Sequence, residues 1–419
     1  MKQRVILFLI LSLSIASSLF SQTPRYPFPQ NKSYFEGTVK PAKDPTTKQE
    51  KAITHFYNTW KNAYVRHDCA DVQQYYVLND EDNVKGKGTT ICVSEGQGYG
   101  MQIVVLMAGY DKDAQTIFDG MYEFADAHPS TKSPFLMSWS ILKGCITNTY
   151  GLNQTSATDG DLDIALSLLM ADNQWGSNGK INYRAAALNI VSAILKHEVN
   201  SKEHTILLSD ANVEGDYDFN DIRSSDFMPA HLRVFNKFYP SDEWTKVIDK
   251  MYQVFGSIQN EYSKKTGLLP DFIVYRNGKY APAKRNYMES RHDGAYYYNA
   301  CRVPFRVAVD YLIYGEPRAK KLLNPISDWI QRRTSKNPDK MWAGYNLDGS
   351  PIRGHDYTVP AFLCPFAIGS MLDKKNQQWV NDCWDYINDF EFKDYLYFDN
   401  TLQMLSMLLL TGNYWLPQP

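Results

Sequence analysis

Apolar residues recur at helical spacing in six stretches of the chain: AITHFYNTWKNAYV (52–65), GMQIVVLMAGY (100–110), DLDIALSLLMAD (161–172), YRAAALNIVSAILKHEV (183–199), PFRVAVDYLIYG (304–315) and NTLQMLSMLLLTG (400–412). Strict alternation of apolar and polar positions is rare, so strands should be few and short. Long polar loops separate the helical stretches, and no low-complexity linker divides them. The pattern predicts one large, mostly helical domain of about a dozen helices over residues 46–419. Loops of that length on a helical scaffold usually carry function. Upstream, Pro24, Pro27, Pro29, Pro41 and Pro45 predict an extended lead-in over 22–45.

The first residues, MKQRVILFLILSLSIASSLFSQ, have a basic start, an apolar run from Val5 to Ile15 and small residues after it. That is the layout of a secretion signal, here 1–21, and the run is too short for a comfortable membrane span. The expectation is an exported protein, periplasmic or extracellular, with no membrane span. Losing Lys2 and Arg4 changes 44 basic residues against 46 acidic to 42 against 46. With no block of like charge, nucleic acid is excluded as a partner. Export permits disulfides. Cys69 and Cys92 are a candidate pair, with buried free thiols as the alternative, and the absence of CxxC argues against zinc.

The segment CVSEGQGYGM (92–101) sets Glu95 among Gly96, Gly98 and Gly100, where something can approach the backbone closely. A phosphate cradle fails, because a glutamate leads the glycines and no βαβ unit surrounds them. Calcium at TDGDLD (158–163) fails too. Counting from Asp159, Ile164 and Met170 stand where an EF-hand needs Gly and Glu. The scattered histidines form no HExxH, so no metal is expected. A glycan remains. Glycosidic hydrolysis needs one protonated carboxyl and one carboxylate. Tyr99 and the apolar run behind Glu95 would desolvate it and raise its pKa. On this chemistry alone Glu95 serves equally well as a helix cap, with the helix starting near Gly100.

SEGQGYGM and ATDGDLDIALSLLMADNQW (157–175) resemble the acid-bearing segment and the signature of glycoside hydrolase family 8. LMSWSI (136–141), SDFMPAHLRVF (225–235), TGLLPDF (266–272), NACRVPFR (299–306) and LLLTGNYW (408–415) extend the likeness along nearly the whole chain. The resemblance implies an all-α fold, an (α/α)6 barrel. It also implies inverting endo-hydrolysis of β-1,4-linked glycans, with no cofactor and a polysaccharide as partner, by a chain read here as a monomer. By the same resemblance Glu95 matches the general acid, and Asp159 the carboxylate that holds the sugar at the cleavage subsite. Trp139 matches a cleft position suited to stacking on a sugar, and Arg302 is suited to bind an acid or a hydroxyl. Thr158 to Asp161 read as a helix N-terminus, with one of Asp159 and Asp161 expected as its cap. Asp163 is expected as an accessory or solvent-side acid, and Trp175 as core.

The departure is Asn299, where one branch of the family has an aspartate as base. An amide cannot deprotonate water. The preceding loop, YMESRHDGAYYYN (287–299), resembles a second branch that draws its base from there, a branch of chitosanases, lichenases and cellulases. Glu289 is the favoured base and Asp293 the runner-up. Tyr296, Tyr297 and Tyr298 either line the cleft or anchor the loop. The competing reading is a glycan-binding protein that keeps the cleft and has lost the base. Nothing in the sequence separates glucan, chitosan and xylan as substrates.

Overall fold

The computed structural model describes residues 22–79, 82–83 and 88–419, so the secretion signal read at 1–21 lies outside the described residues. Among them are twelve α-helices: α1 (Thr46–Tyr64), α2 (Ser94–Leu106), α3 (Ala114–Ala127), α4 (Thr158–Trp175), α5 (Tyr183–His197), α6 (Pro229–Phe238), α7 (Asp242–Tyr262), α8 (Val303–Tyr314), α9 (Pro317–Arg333), α10 (Pro360–Ser370), α11 (Gln377–Asp389) and α12 (Tyr397–Leu410). All six stretches with helical spacing are helices. The even-numbered helices touch in a closed cycle, α2–α4–α6–α8–α10–α12–α2. Each odd-numbered helix packs outside an even one, with α1 lying on α12. This is an (α/α)6 barrel.

Sequence decides which ring a helix joins. In α2 every residue but Glu95 is buried, in α4 every residue but Asn173, and in α12 every residue but Phe398. Such helices are buried all round, with their polar residues turned to partners within the protein, and belong inside. Helices α1, α7, α9 and α11 bury one stripe and present Lys, Asp, Glu and Gln to solvent.

The glycines around Glu95 serve this packing. Helix α2 begins at Ser94, not near Gly100, so Gly96, Gly98 and Gly100 lie inside it. A Cβ on Gly98 would stand 2.7 Å from the Asp163 Cβ, and one on Gly160 would stand 2.6 Å from the Ser94 carbonyl carbon. What approaches the backbone is the protein itself: α4 at Gly98, Tyr397 of α12 at Gly96, and Val77 and Met121 at Gly100.

Asp163, expected on the solvent side, is completely buried at the barrel axis. It accepts from His231 Nε2 of α6 (2.9 Å), from Arg306 Nη1 and Nη2 of α8 (2.9 and 2.5 Å) and from Gln102 Nε2 of α2. Trp175 is core, as expected.

Two small sheets carry the loops. The strand Thr89–Val93 runs straight into α2 and pairs antiparallel with Ser140–Leu142, which follows Trp139. The strand Phe272–Arg276 pairs with Ile222–Arg223 on one side and with Lys279–Pro282 on the other. Residues 22–45 hold no helix or strand. They are tied across the barrel by backbone bonds such as Phe28 to Ala108 and Val39 to Met371. Cys69 pairs with Cys145, not with Cys92. Cys92 faces inward from its strand and is a buried thiol, as are Cys301, Cys364 and Cys383.

Gly160→Ala should destabilise the protein by about 1–3 kcal/mol, because its Cβ meets backbone that cannot step aside. Gly256→Ala on α7, whose Cβ would meet nothing within 4 Å, should stabilise it by about 0.5–1 kcal/mol. Urea unfolding of both variants checks the contrast, and equal effects would refute the packing role. Asp163→Asn leaves the buried Arg306 uncompensated and should cost about 3–5 kcal/mol in the same measurement.

Candidate active site

The first turns of α2, α4 and α12, with the short 3-10 turn before α8, converge on a cavity of about 290 Å³. Helix N-termini suit carboxylates, because their free N–H groups and dipole ends are positive. Glu95 and Asp159 are each the second residue of their helix and both line the cavity. The N-terminal cap of α4 is Ala157, so neither Asp159 nor Asp161 caps it.

Arg302 holds the centre. Its Nη1 donates to Glu95 Oε2, to Asp159 Oδ2 (2.9 Å) and to the Tyr99 hydroxyl (3.2 Å), while its Nη2 donates to Asn299 Oδ1 (2.7 Å). Asn299 in turn donates from Nδ2 to Glu289 Oε2 (2.7 Å), and Arg223 Nη2 donates to Glu289 Oε1 (3.0 Å). A guanidinium and a carboxamide therefore stand in line between the carboxyls of Glu95 and Glu289. Glu289 itself is 45% exposed and open to water.

The two helix-borne acids are driven apart electrostatically. Burial raises the Glu95 pKa to about 8, with Arg302 pulling it down and Asp159 pushing it up. Burial also works against ionised Asp159, but Arg302 and Arg223 more than offset it and hold its pKa near 2. One carboxyl thus keeps its proton near neutrality while its neighbour stays charged, the separation that acid catalysis requires.

Trp139, 44% exposed, forms part of the rim. Its backbone is fixed by bonds to Ser94 and Thr155. Other candidates stand elsewhere. Tyr99 is fully buried one turn below Glu95, where it meets Arg302 and not the cavity. Tyr298 packs edge-on against Phe362 and Tyr297 and tilts against Phe398, anchoring the loop. Asp161 faces away from the cavity, accepts from Met137 N (2.8 Å), and is pushed well up by burial and by Glu198. Asp293 is completely buried and accepts from the amides of Met288, Glu289 and Ser290 (2.7, 3.2 and 2.8 Å). With its lone pairs engaged and no water access it clamps the loop, and the structure does not bring it to the cavity.

Three further residues carry the site, and sequence reasoning gave them no role. Arg223 orients Glu289 and is backed by Asp226 at 3.5 Å. Asp271 accepts from the amides of Tyr297 and Ala300 (2.9 and 2.7 Å), fixing the turn that presents Asn299 and Arg302. Asp226 and Asp271 lie in the quoted SDF and PDF segments, which was the available signal. Among the described residues, no cluster of three or more His, Cys, Asp or Glu is placed to hold a metal ion, and no helix is long and apolar enough to cross a membrane.

A closed double ring of helices with opposed carboxyls in an aromatic-rimmed cavity defines a glycan-cleaving barrel. The chain belongs to glycosyl hydrolases family 8, whose sequence profile matches residues 46–412. A beta-glucanase of Niallia circulans is 39% identical over 403 residues, spanning 96% of this chain and 94% of that protein. An endoglucanase of Bacillus sp. KSM-330 is 40% identical over 399 residues, spanning 94% and 82%. The apo structure of a beta-1,3-1,4-glucanase from Paenibacillus sp. X4 superposes with a TM-score of 0.87 at 39% identity, covering 94% of this chain and all of that one.

The buried acids set a pH dependence. Burial raises Glu95, Glu198 and Asp271 to about 8 and Asp226 to about 7, and pushes Asp161 well above the usual carboxyl range. The folded form then holds protons that the unfolded chain has released. Stability is full below the unfolded pKa and is lost as pH rises through about 8, at up to about 1.4 kcal/mol per pH unit for each group. The unfolding temperature should fall between pH 6 and pH 9, and Asp161→Asn should flatten the fall. A rise over that interval would contradict the assignment.

Proposed function

We propose that the protein is an inverting endo-glucanase acting on β-glucan chains, mixed-linkage β-1,3-1,4-glucan first among them. The observation that carries this is the line Glu95, Arg302, Asn299, Glu289 across one cavity. Glu95, protonated up to about pH 8, donates to the leaving glycosidic oxygen. Glu289 accepts the proton of a water that attacks the anomeric carbon from the opposite face. An inverting pair leaves about 6.5–9.5 Å for that water, against about 5 Å in a retaining pair, and the two groups interposed here suit the wider spacing. Asp159, ionised throughout, stabilises positive charge developing on the ring, and Trp139 carries the stacking face of a sugar. Arg223 and Asn299 aim Glu289.

The substrate class is drawn from the relatives, two of which bear the names beta-glucanase and endoglucanase while a third is a beta-1,3-1,4-glucanase. Export by residues 1–21 fits a polymer too large to enter a cell. The full set of site residues on one chain supports action as a monomer.

Incubation with lichenan, carboxymethyl-cellulose, chitosan and xylan tests the reading. Lichenan viscosity should fall faster than reducing ends accumulate, and the first product should carry the inverted anomeric configuration by NMR. Binding without cleavage of any of the four would establish the non-catalytic alternative, and cleavage of chitosan alone would move the substrate to an amino sugar. Glu95→Gln and Glu289→Gln should each lower kcat by about 10²–10⁴-fold with glycan binding intact. The alkaline limb of kcat/KM near pH 8 belongs to Glu95. Asn299→Asp should not raise activity, because it sets a like charge beside Glu289 and loses the amide donor. A more active Asn299→Asp variant would refute the loop base.

A further inference from the structure

The loop that carries Glu289 has a second face. Beside it lies a cavity of about 590 Å³ between residues 283–295 and the turn at 346–353. Arg285 and Arg291 line it from the loop, Arg353 from the turn, with His292 and Asn346 between them, and no carboxylate lines it. Arg233, Arg276, Arg302 and Arg318, by contrast, each pair with an acid. Among the described residues, Arg285, Arg291 and Arg353 have no such partner. Three solvent-exposed guanidiniums around one concavity, with no carboxylate among them, make a positive field that draws an anion in. The sequence as a whole is slightly acidic, so this positive field is local.

We infer that this cavity binds an oxyanion, a phosphate or a carboxylate, across the gap between the base-carrying loop and the neighbouring turn. Guanidinium forks match the paired oxygens of such groups, and Asn346 supplies a neutral amide beside them. Arg291 Nε donates to His292 Nε2 (3.0 Å), which leaves the other ring nitrogen to carry the proton. Burial and the Arg291 charge both depress the basicity of His292 and His355, whose rings lie 5.5 Å apart. A bound anion offsets that charge, so both imidazoles report its arrival. The anion is either free in solution or an acidic substituent on a glycan. Either source is independent of hydrolysis in the Glu95 cavity.

The test titrates the full-length mature protein at low ionic strength with inorganic phosphate, and separately with a xylo-oligosaccharide bearing glucuronic acid. Calorimetry and the histidine ring resonances are read together. Saturable phosphate binding is expected, with the His292 and His355 titrations moving to higher pH. Arg291→Gln/Arg353→Gln should weaken binding by about tenfold or more, while Arg291→Lys/Arg353→Lys keeps part of it. If the acidic oligosaccharide also loses affinity in the double Gln variant, the anion is glycan-borne. If only phosphate does, it is a free ion. If neither ligand distinguishes the double Gln variant from the parent, the site does not exist. Lichenan hydrolysis by both variants should match the parent, so a failure here is separable from a failure of the glucanase reading.

Discussion

The barrel turns on one buried carboxylate. Asp163 on α4 receives Gln102 from α2, His231 from α6 and Arg306 from α8, so four of the six inner helices meet at one side chain. A lone charge at the axis of a helical barrel would be prohibitive, and it is tolerated here because both its oxygens are covered by donors and one partner is a guanidinium. The network also fixes the rotation of these four helices about their own axes. That matters because α2 and α4 are buried nearly all round, and hydrophobic burial alone leaves their rotation poorly specified.

The site repeats this arrangement one turn higher. Asp159 precedes Asp163 by four residues and Arg302 precedes Arg306 by four, and residues four apart on a helix lie above one another. The lower pair locks the barrel, and the upper pair opens onto the cavity. Glu95 joins the upper layer because Gly98 and Gly160 let α2 and α4 approach until their first turns lie side by side. The same proximity lets the Asp159 charge help keep the Glu95 proton in place. The electrostatics of the site is in this sense a consequence of helix packing.

The opposing carboxylate is held differently. Glu289 lies on a loop, and loops lack a ladder of backbone bonds to fix them. Two buried aspartates supply the order. Asp293 gathers three amides beneath Glu289, and Asp271 gathers two beneath Asn299 and Arg302. The tyrosines at 296–298 pin the same segment to α10 and α12 through Phe362, Phe366 and Phe398. Acids in this loop thus divide into one that meets solvent and one spent on the backbone.

Much of this was legible in the amino-acid order. Helical spacing located six helices, and the likeness of SEGQGYGM and ATDGDLDIALSLLMADNQW to one hydrolase family pointed to Glu95 and Asp159. These are local properties, because periodicity and motif depend on neighbours along the chain. What the sequence left open turned on which residues meet across the fold. Asp161 and Asp163 occupy the same helical turns as Asp159 and look alike in sequence, yet one faces Glu198 and the other the barrel axis. Glu289 and Asp293 are four residues apart in one loop, and only the folded loop exposes the first and buries the second. Cys69 found Cys145 and not Cys92, since Cys92 points into the core from its strand. Arg223 had no reason to be singled out until the strand at 222–223 paired with the strand at 272–276. Burial, partner and access are set by contacts between distant segments, so the tertiary structure alone decided them.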